Sequence, residues 1–155
     1  MGALGSIWHF LYKICGMSTI VGLFAPVNES VFEHLKLVFW PPILYFFVLY
    51  LIKRTAPKNS IVSLLMGIIA GMLTTVVLFY TYNGVTGKNI DFINIIIYFI
   101  ALAVLIIVRN LFIKNGFLNG KKAKWIAILG YVIIAVLLVV FTFYPPSIPL
   151  FVSPD

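Results

Sequence analysis

The sequence has little charge of either sign and very few acidic residues. Of its 155 residues, 63% are hydrophobic, 10% are charged and only four are Asp or Glu, whereas soluble domains are about one quarter charged. This scarcity of charge, with a mean hydropathy of +1.13, excludes an ordinary soluble domain. The single cysteine, Cys15, excludes an intrachain disulfide and is expected to be a small buried residue. We predict an integral membrane protein whose main partner is the lipid bilayer.

Long apolar runs predict an all-α bundle of about five transmembrane helices in one domain. A helix of about 20 apolar residues spans the hydrocarbon core of a bilayer, and several runs approach this length. The longest predicted loop, about residues 83–91, is too short to form a soluble domain. The predicted helices cover residues 4–24, 29–53, 61–82, 92–112 and 125–144.

The basic residues, which give the chain a formal charge of +7, fall mostly in short loops between the apolar runs. Because they are not spread along one helix face, they do not indicate a nucleic-acid partner. Loops rich in lysine and arginine stay on the cytoplasmic side, and the intervening loop has only Lys88, offset by Asp91. We therefore predict a cytoplasmic amino terminus and an external carboxyl terminus. The basic loop residues are Lys53, Arg54, Lys58, Lys114, Lys121, Lys122 and Lys124.

The membrane-spanning part of the second predicted helix must include ionisable residues. Residues 43–52 alone would cover about half of the hydrocarbon thickness, so the crossing must include Glu33, His34 and Lys36. An ionised side chain at a helix centre costs about 2.5–3.5 kcal/mol, whereas a leucine or phenylalanine returns only about 0.3–0.6 kcal/mol. These side chains are therefore predicted to face protein, water or each other.

Local signals predict where this helix starts and where it is interrupted. Ser30 followed by Glu33 has the spacing of a capping box, and Asn28 is an alternative N-cap. Further on, Pro41 and Pro42 remove two backbone donors. We predict that the second helix is broken at this proline pair.

The acidic residues of this stretch are candidates for proton exchange. Glu29 and Glu33 on consecutive helical turns would lie about 6 Å apart, so both cannot ionise freely and one is expected to hold a proton. Lys36 opposes this effect by pairing with Glu33. A purely structural role, in which His34 bonds a buried carbonyl, is the alternative, although ionisable groups facing the inside of a membrane bundle indicate function by default. The predicted proton-binding or ligand-binding residues are Glu29, Glu33, His34, Lys36, Lys13, Tyr12 and His9.

A metal site is a further possibility at the same residues. Zinc is held by three or four nitrogen, oxygen or sulfur ligands, and the candidates are Glu29, Glu33 and His34, with Cys15 and His9 in reserve. We expect His9 and His34 to lie at different depths in the membrane, which argues against a site that uses both. The sequence has no His-Glu-x-x-His signature, and it identifies no cofactor.

The third predicted helix carries small residues at a spacing of four. Such a ladder indicates close packing between membrane helices. It docks either inside the bundle or against a second copy or another membrane subunit. The ladder consists of Ser63, Gly67, Gly71 and Thr75.

One run of residues resembles the signature of a known family. Residues 26–37, PVNESVFEHLKL, followed by Pro41, are similar to the signature of a family of small prokaryotic multi-pass membrane proteins of unknown function. His9, Phe10, Tyr12 and Gly16, and the proline-rich tail at residues 145–151, also match. The resemblance implies a location in a prokaryotic plasma membrane and no established activity.

Three functions remain open at this point. The leading hypothesis is a small transporter or channel-like protein, in which an outward-facing polar vestibule of Glu29, Glu33, His34 and Lys36 exchanges a proton as a small solute or ion binds. The second is a membrane-embedded enzyme, with or without a metal, that acts on a lipid-like substrate with Glu29 or Glu33 as general base. The third is a non-catalytic subunit of a membrane complex or homo-oligomer. The sequence does not specify the substrate, the direction of transport or the oligomeric state.

Overall fold

The computed structural model is helical throughout the part of the chain that it describes. It describes residues 2–57 and 59–153, without the side chains of residues 3–6. Lys58 and Asp155, an acid at the carboxyl end, lie outside this part. The elements are α1 (Gly2–Ile14), α2 (Thr19–Gly22), α3 (Val31–Lys53), α4 (Ser60–Thr86), α5 (Asp91–Asn115), α6 (Lys121–Phe143) and a 3₁₀ turn (Pro149–Phe151).

Four of the described helices, α3 to α6, are long and apolar enough to cross a membrane. They contain 23 to 27 residues, which is about 35–40 Å of helix and exceeds a hydrocarbon core of about 30 Å. The predicted all-helical membrane bundle is confirmed. The described residues contain four such helices, compared with the five that we predicted.

The amino-terminal segment differs most from the prediction. In place of one helix over residues 4–24, α1 ends at Ile14 and the chain turns at Gly16 and Met17, which both have positive φ values of 66° and 57°. Glycine enters this conformation without steric cost, which is why it commonly ends helices. With 13 residues, α1 is about 20 Å long and too short to cross a bilayer. Cys15, which was predicted to be buried, is exposed in this turn.

The charged helix α3 lies at the centre of the bundle. It contacts α1, α4, α5, α6 and the 3₁₀ turn. Its side chains Phe32, Leu35, Val38 and Phe39 belong to the main hydrophobic core, together with residues of α4, α5 and α6. The amino-terminal part of this helix, which carries Glu33 and Lys36, is therefore buried in the bundle, whereas most of residues 44–53 are exposed.

The predicted break at Pro41 and Pro42 is wrong, because α3 continues through both prolines from Val31 to Lys53. The prolines cannot donate backbone hydrogen bonds, but both are fully buried, and Phe39 beside them is anchored in the main core. Unwinding the helix would leave further backbone groups without partners in a hydrocarbon environment, at a cost of several kcal/mol per group. Packing therefore keeps the helix continuous.

The small residues of α4 lie inside the bundle. A Cβ atom added to Gly67 would lie 2.6 Å from the carbonyl oxygen of Leu105, and one added to Gly71 would lie 3.0 Å from that of Ala101. The side chains at the two ends of the ladder, Ser63 and Thr75, are also buried. Glycine at these positions allows the backbones of α4 and α5 to approach closely. This face is consequently not free to bind a second copy or another subunit.

The two ends of the bundle differ in charge. Asn59 donates hydrogen bonds from Nδ2 to the carbonyl oxygens of Phe112 and Phe117, at 2.6 and 3.3 Å. These bonds join the start of α4 to the last turns of α5 and to the loop that follows α5. We call this end, which carries Lys53, Arg54, Lys114, Lys121, Lys122 and Lys124, the basic end. At the opposite end, the ring of Phe151 packs against Phe32 with a centroid distance of 4.4 Å.

Candidate metal centre

The start of α3 is fixed by two short-range caps. Ser30 is the N-cap, and its Oγ accepts a hydrogen bond from the backbone nitrogen of Glu33 at 3.3 Å. Asn28 Oδ1 accepts one from the backbone nitrogen of Ser30 at 2.9 Å. The helix therefore starts at Val31 and not at residue 29 as predicted. Glu29 precedes the helix, so the two glutamates are not on consecutive helical turns and have separate partners.

Glu33 and Lys36 form a buried ion pair. The Nζ of Lys36 lies 2.8 Å from Oε2 of Glu33, and the two side chains are 0% and 3% exposed. The ammonium group also donates to the carbonyl oxygens of Gly22 and Ala25, at 2.7 and 3.3 Å. A lysine has three donors, and here all three have acceptors.

The carboxylate of Glu33 is satisfied in the same way. Its Oε2 also accepts a hydrogen bond from the backbone nitrogen of Val27 at 2.8 Å, and its Oε1 accepts one from Oγ1 of Thr142 at 2.8 Å. A buried charge is stable only when it is paired and hydrogen-bonded, and this one is both. The network ties α3 to residues 22–27 and to α6.

A second, half-exposed cluster lies beside this buried pair. The Nε2 atoms of His9 and His34 lie 3.2 and 3.6 Å from the same oxygen, Oε2 of Glu29, and the two imidazole centroids are 5.3 Å apart. Lys13 Nζ lies 3.8 Å from the other oxygen of Glu29. The expectation that the two histidines lie at different depths is wrong, because α1 packs beside α3 and brings the two rings into contact.

A backbone carbonyl orients the ring of His34. Its Nδ1 lies 2.8 Å from the carbonyl oxygen of Ser30, and because that oxygen can only accept, Nδ1 carries the hydrogen. In the neutral ring, Nε2 then carries a lone pair, 3.6 Å from Oε2 of Glu29. Two lone pairs repel unless a proton or a metal ion lies between them. A histidine whose other nitrogen donates to a carbonyl is the arrangement found at metal sites.

The ligand atoms of this cluster fit a divalent metal ion. One donor atom from each of His9, Glu29 and His34 lies within 4.8 Å of the others. Two ligands of a tetrahedral zinc ion are about 3.4 Å apart, which is close to the observed 3.2 and 3.6 Å. The Glu29 side chain is 51% exposed, so solvent reaches a fourth position. Of the metal candidates predicted from the sequence, Glu29 and His34 lie in this group, with His9 in place of Glu33.

The remaining predicted residue, Tyr12, lies apart from these contacts. Its ring packs on Gly22, where an added Cβ atom would lie 3.3 Å from the ring. Sequence reasoning missed Thr142, the hydroxyl partner of Glu33. The available signal was a lone threonine near the end of an otherwise aliphatic helix, at the same end of the bundle as the glutamates.

A small cavity adjoins the half-exposed cluster. Its volume is about 30 Å³, which is the space of about one water molecule. Polar groups in its lining are Glu29, His34, Thr75, Asn94 and Tyr98. This space is too small for a solute.

Comparison with known proteins places the chain in a family. No curated protein and no solved structure shows significant similarity to it. One family profile matches residues 1–154, which include every residue of both clusters. Since the match covers nearly the whole chain, the protein belongs to the family of unknown function DUF6512.

Proposed function

We propose that this protein is a membrane-embedded, metal-dependent enzyme that holds Zn²⁺ between His9, Glu29 and His34 and hydrolyses a lipid-like ester. The observation that carries this proposal is the convergence of two imidazole nitrogens on one carboxylate oxygen, at 3.2 and 3.6 Å. Two histidines and one carboxylate with an open fourth position are typical of catalytic zinc, whereas structural zinc has four protein ligands.

A zinc ion held by His9, Glu29 and His34 would supply a Lewis acid that lowers the pKa of a water molecule towards about 7 and so favours hydrolysis of a carboxylic or phosphoric ester. One proton of that water would end on the oxygen of the leaving alcohol and its hydroxyl on the acid product. Lys13 Nζ, 3.8 Å from Oε1 of Glu29, adds a positive charge beside the site that favours the developing oxyanion.

Apolar side chains beside the site favour a lipid-like substrate. Ile7, Phe10 and Ile14 of α1 are 54–72% exposed, and the ring of Phe10 contacts that of His9 edge-on with a centroid distance of 5.0 Å. A short helix with an exposed apolar face lies in the plane of the membrane interface. The ester bonds and phosphates of lipids are found at the same depth.

Zinc titration of two charge-matched variants tests the proposal. Glu29→Gln removes a carboxylate ligand, whereas Asp91→Asn removes an exposed carboxylate at the start of α5. The purified protein in mild detergent is expected to bind one zinc per chain. Substituting a group that only orients a metal ligand lowers metal affinity by about 10–100-fold. Because Glu29 would be a ligand itself, Glu29→Gln should lower zinc affinity by more than about 100-fold, and Asp91→Asn should leave it almost unchanged.

The same samples test hydrolysis. Zinc-loaded protein mixed with phospholipid micelles should release a fatty acid or a headgroup, and the Glu29→Gln protein should not. Absence of bound zinc, or equal loss of affinity in both variants, would contradict the metal site. Zinc binding without lipid hydrolysis would leave a metal-binding protein and contradict the proposed reaction.

Proton-linked transport has one supporting observation. The cavity of about 30 Å³ extends from Glu29 and His34 towards Asn94 and Tyr98 of α5, and space for one water molecule suffices to relay a proton. Glu33 and Lys36 support this function less, because both side chains are enclosed and fully bonded. A proton flux in metal-free proteoliposomes that is lost in Glu29→Gln would favour transport over hydrolysis.

A further inference from the structure

A large apolar cleft opens at the basic end of the bundle, between α3, α4 and α6. Its volume is about 1090 Å³, just above the roughly 300–1,000 Å³ of small-molecule sites. The walls include Phe39, Ile43 and Phe47 of α3 and Val132 and Ala135 of α6. The apolar walls belong to helices long enough to cross a membrane, so lipid hydrocarbon is available to occupy the space between them.

The mouth of this cleft is positively charged. Lys53, Arg109, Lys121 and Lys124 line it, and its described lining contains no acidic residue. The guanidinium carbon of Arg109 lies 4.0 Å above the centroid of the Phe46 ring, so the charge is held against the cleft wall. An anion entering here would meet several cations and no competing carboxylate.

Two further groups in the cleft wall lack hydrogen-bond partners. Within the described parts of the chain, Nε of Arg109 and Nε1 of Trp40 are buried and unpartnered. Buried donors are nearly always satisfied in native proteins. Both residues line the cleft, but the two nitrogens are enclosed by protein, and Trp40 lies about 20 Å from Lys53 along α3. The phosphate position therefore depends on the cations of the mouth.

Two helix starts open on the same mouth. Asn59 and Ser60 at the start of α4, and Gly120 and Lys121 at the start of α6, line the cleft. Neither N-cap residue has a side chain that caps its helix. The first N–H of α4, that of Ser60, donates to the carbonyl oxygen of Pro57. The first turn of α6 has no capping side chain, and backbone N–H groups at such a helix start attract anions, phosphate groups in particular.

We propose that this cleft binds one anionic phospholipid of the surrounding bilayer, with an acyl chain against the apolar walls and the phosphate at the basic mouth. A zwitterionic lipid would bring a cation of its own among the lysines, and free phosphate would leave the apolar space unfilled. Anionic lipids are drawn to lysine-rich and arginine-rich membrane surfaces. The charge and shape of the cleft thus favour an anionic lipid over both alternatives.

This site is separate from the proposed metal centre. His34 lies near the start of α3 and Lys53 at its end, which places them about 28 Å apart at 1.5 Å per residue. A lipid held at the basic end therefore cannot be the substrate of a zinc ion at the opposite end. The inference stands without the proposed function.

Lipid binding by charge-matched double variants tests the phosphate position. The Lys121→Gln/Lys124→Gln protein loses two cations at the mouth, whereas the Lys114→Gln/Lys122→Gln protein loses two exposed cations of the same region that do not line the cleft. Phosphatidylglycerol and phosphatidylcholine are titrated separately, and native mass spectrometry counts the lipids retained per chain. General attraction to an anionic surface is worth about fivefold per lysine and affects both variants alike. Direct contact with the phosphate should therefore appear as a loss of affinity in the first variant that exceeds the loss in the second by at least about fivefold.

A pair of valine substitutions on α6 tests the acyl-chain position. Val132 and Val136 are 53% and 52% exposed, respectively, but only Val132 lines the cleft. Val132→Trp places a bulky ring in the cleft and should weaken retention of phosphatidylglycerol, while Val136→Trp should not. Circular dichroism of all four variants verifies that they remain helical.

The outcomes separate the possible ligands. One retained phosphatidylglycerol per chain, weak retention of phosphatidylcholine and no competition by inorganic phosphate would support the proposal. Equal loss in the two lysine variants would show unspecific surface attraction and overturn it. Full competition by inorganic phosphate, or undiminished binding by Val132→Trp, would show that no acyl chain occupies the cleft and would also overturn it.

Discussion

Replacing Lys36 with methionine tests the buried ion pair at the start of α3. Methionine occupies much of the same space but removes the ammonium group. The carboxylate of Glu33 then has no cation beside it, and the carbonyl oxygens of Gly22 and Ala25 lose their donor. Because the Lys36 and Glu33 side chains are 0% and 3% exposed, water cannot readily replace the missing group.

The expected loss of stability is large. Removing one partner of a buried ion pair costs about 3–5 kcal/mol, and a buried acceptor left unsatisfied costs about 1–3 kcal/mol. We therefore expect Lys36→Met to lower the free energy of unfolding by at least about 3 kcal/mol, out of a total of about 5–15 kcal/mol. The double variant Glu33→Gln/Lys36→Met has no buried charge. Its loss should be smaller than the sum of the single losses by at least about 1 kcal/mol.

Unfolding by sodium dodecyl sulfate in mixed micelles, followed by circular dichroism, measures these differences. Lys88→Met is the control, since Lys88 is exposed in the loop after α4 and such a change alters stability by less than about 0.5 kcal/mol. Hydrogen exchange at the Val27 amide adds a local measurement, because this N–H donates to Glu33. Equal unfolding of the Lys36→Met and Lys88→Met proteins, with unchanged protection at Val27, would refute the structural role of the pair.

Two further predictions concern helix packing and capping, and both use the same unfolding assay. Gly67→Ala should lower the free energy of unfolding by about 1–3 kcal/mol, because the new Cβ atom would lie 2.6 Å from the carbonyl oxygen of Leu105. The control Gly84→Ala, in the same helix but with no atom within 4 Å of the new Cβ, should raise it by about 0.4–1 kcal/mol. Equal effects of the two substitutions would contradict the close packing of α4 on α5. Ser30→Ala removes the acceptor for the Glu33 amide and should lower the free energy of unfolding by about 1 kcal/mol. An unchanged free energy of unfolding would show that the cap contributes nothing to stability.

Much of the fold could be predicted from apolar length alone. The predicted helices at residues 61–82, 92–112 and 125–144 lie within four residues of the starts and ends of α4, α5 and α6, because the thickness of the bilayer dictates the length of an apolar run. The segment before α3 could not be predicted in this way. Its course depends on one turn at Gly16, and a glycine within an apolar run fits a packed membrane helix equally well.

The candidate site could be predicted only in part. The short apolar half of the second crossing correctly required Glu33 and Lys36 to be enclosed, and the i,i+3 spacing indicated their pairing. Their other partners could not be found, because backbone carbonyls have no sequence signal and Thr142 lies 109 residues from Glu33. The meeting of His9 with His34 depends on α1 not crossing the membrane, which the sequence pattern did not reveal.

The buried pair holds the segment that carries Glu29. Lys36 binds the carbonyl groups of Gly22 and Ala25, and Glu33 binds the amide of Val27, so three backbone points just before Glu29 are fixed to α3. An apolar pair of the same volume would pack as well in the core, which is why buried ion pairs are often replaceable without loss of stability. It would leave the carbonyl groups of Gly22 and Ala25 and the amide of Val27 without these partners. The ligands of a half-exposed metal site need such support to keep their geometry. Glu33 and Lys36, which the sequence predicted to bind a proton or a ligand, are therefore better explained as the anchor that holds Glu29 in place.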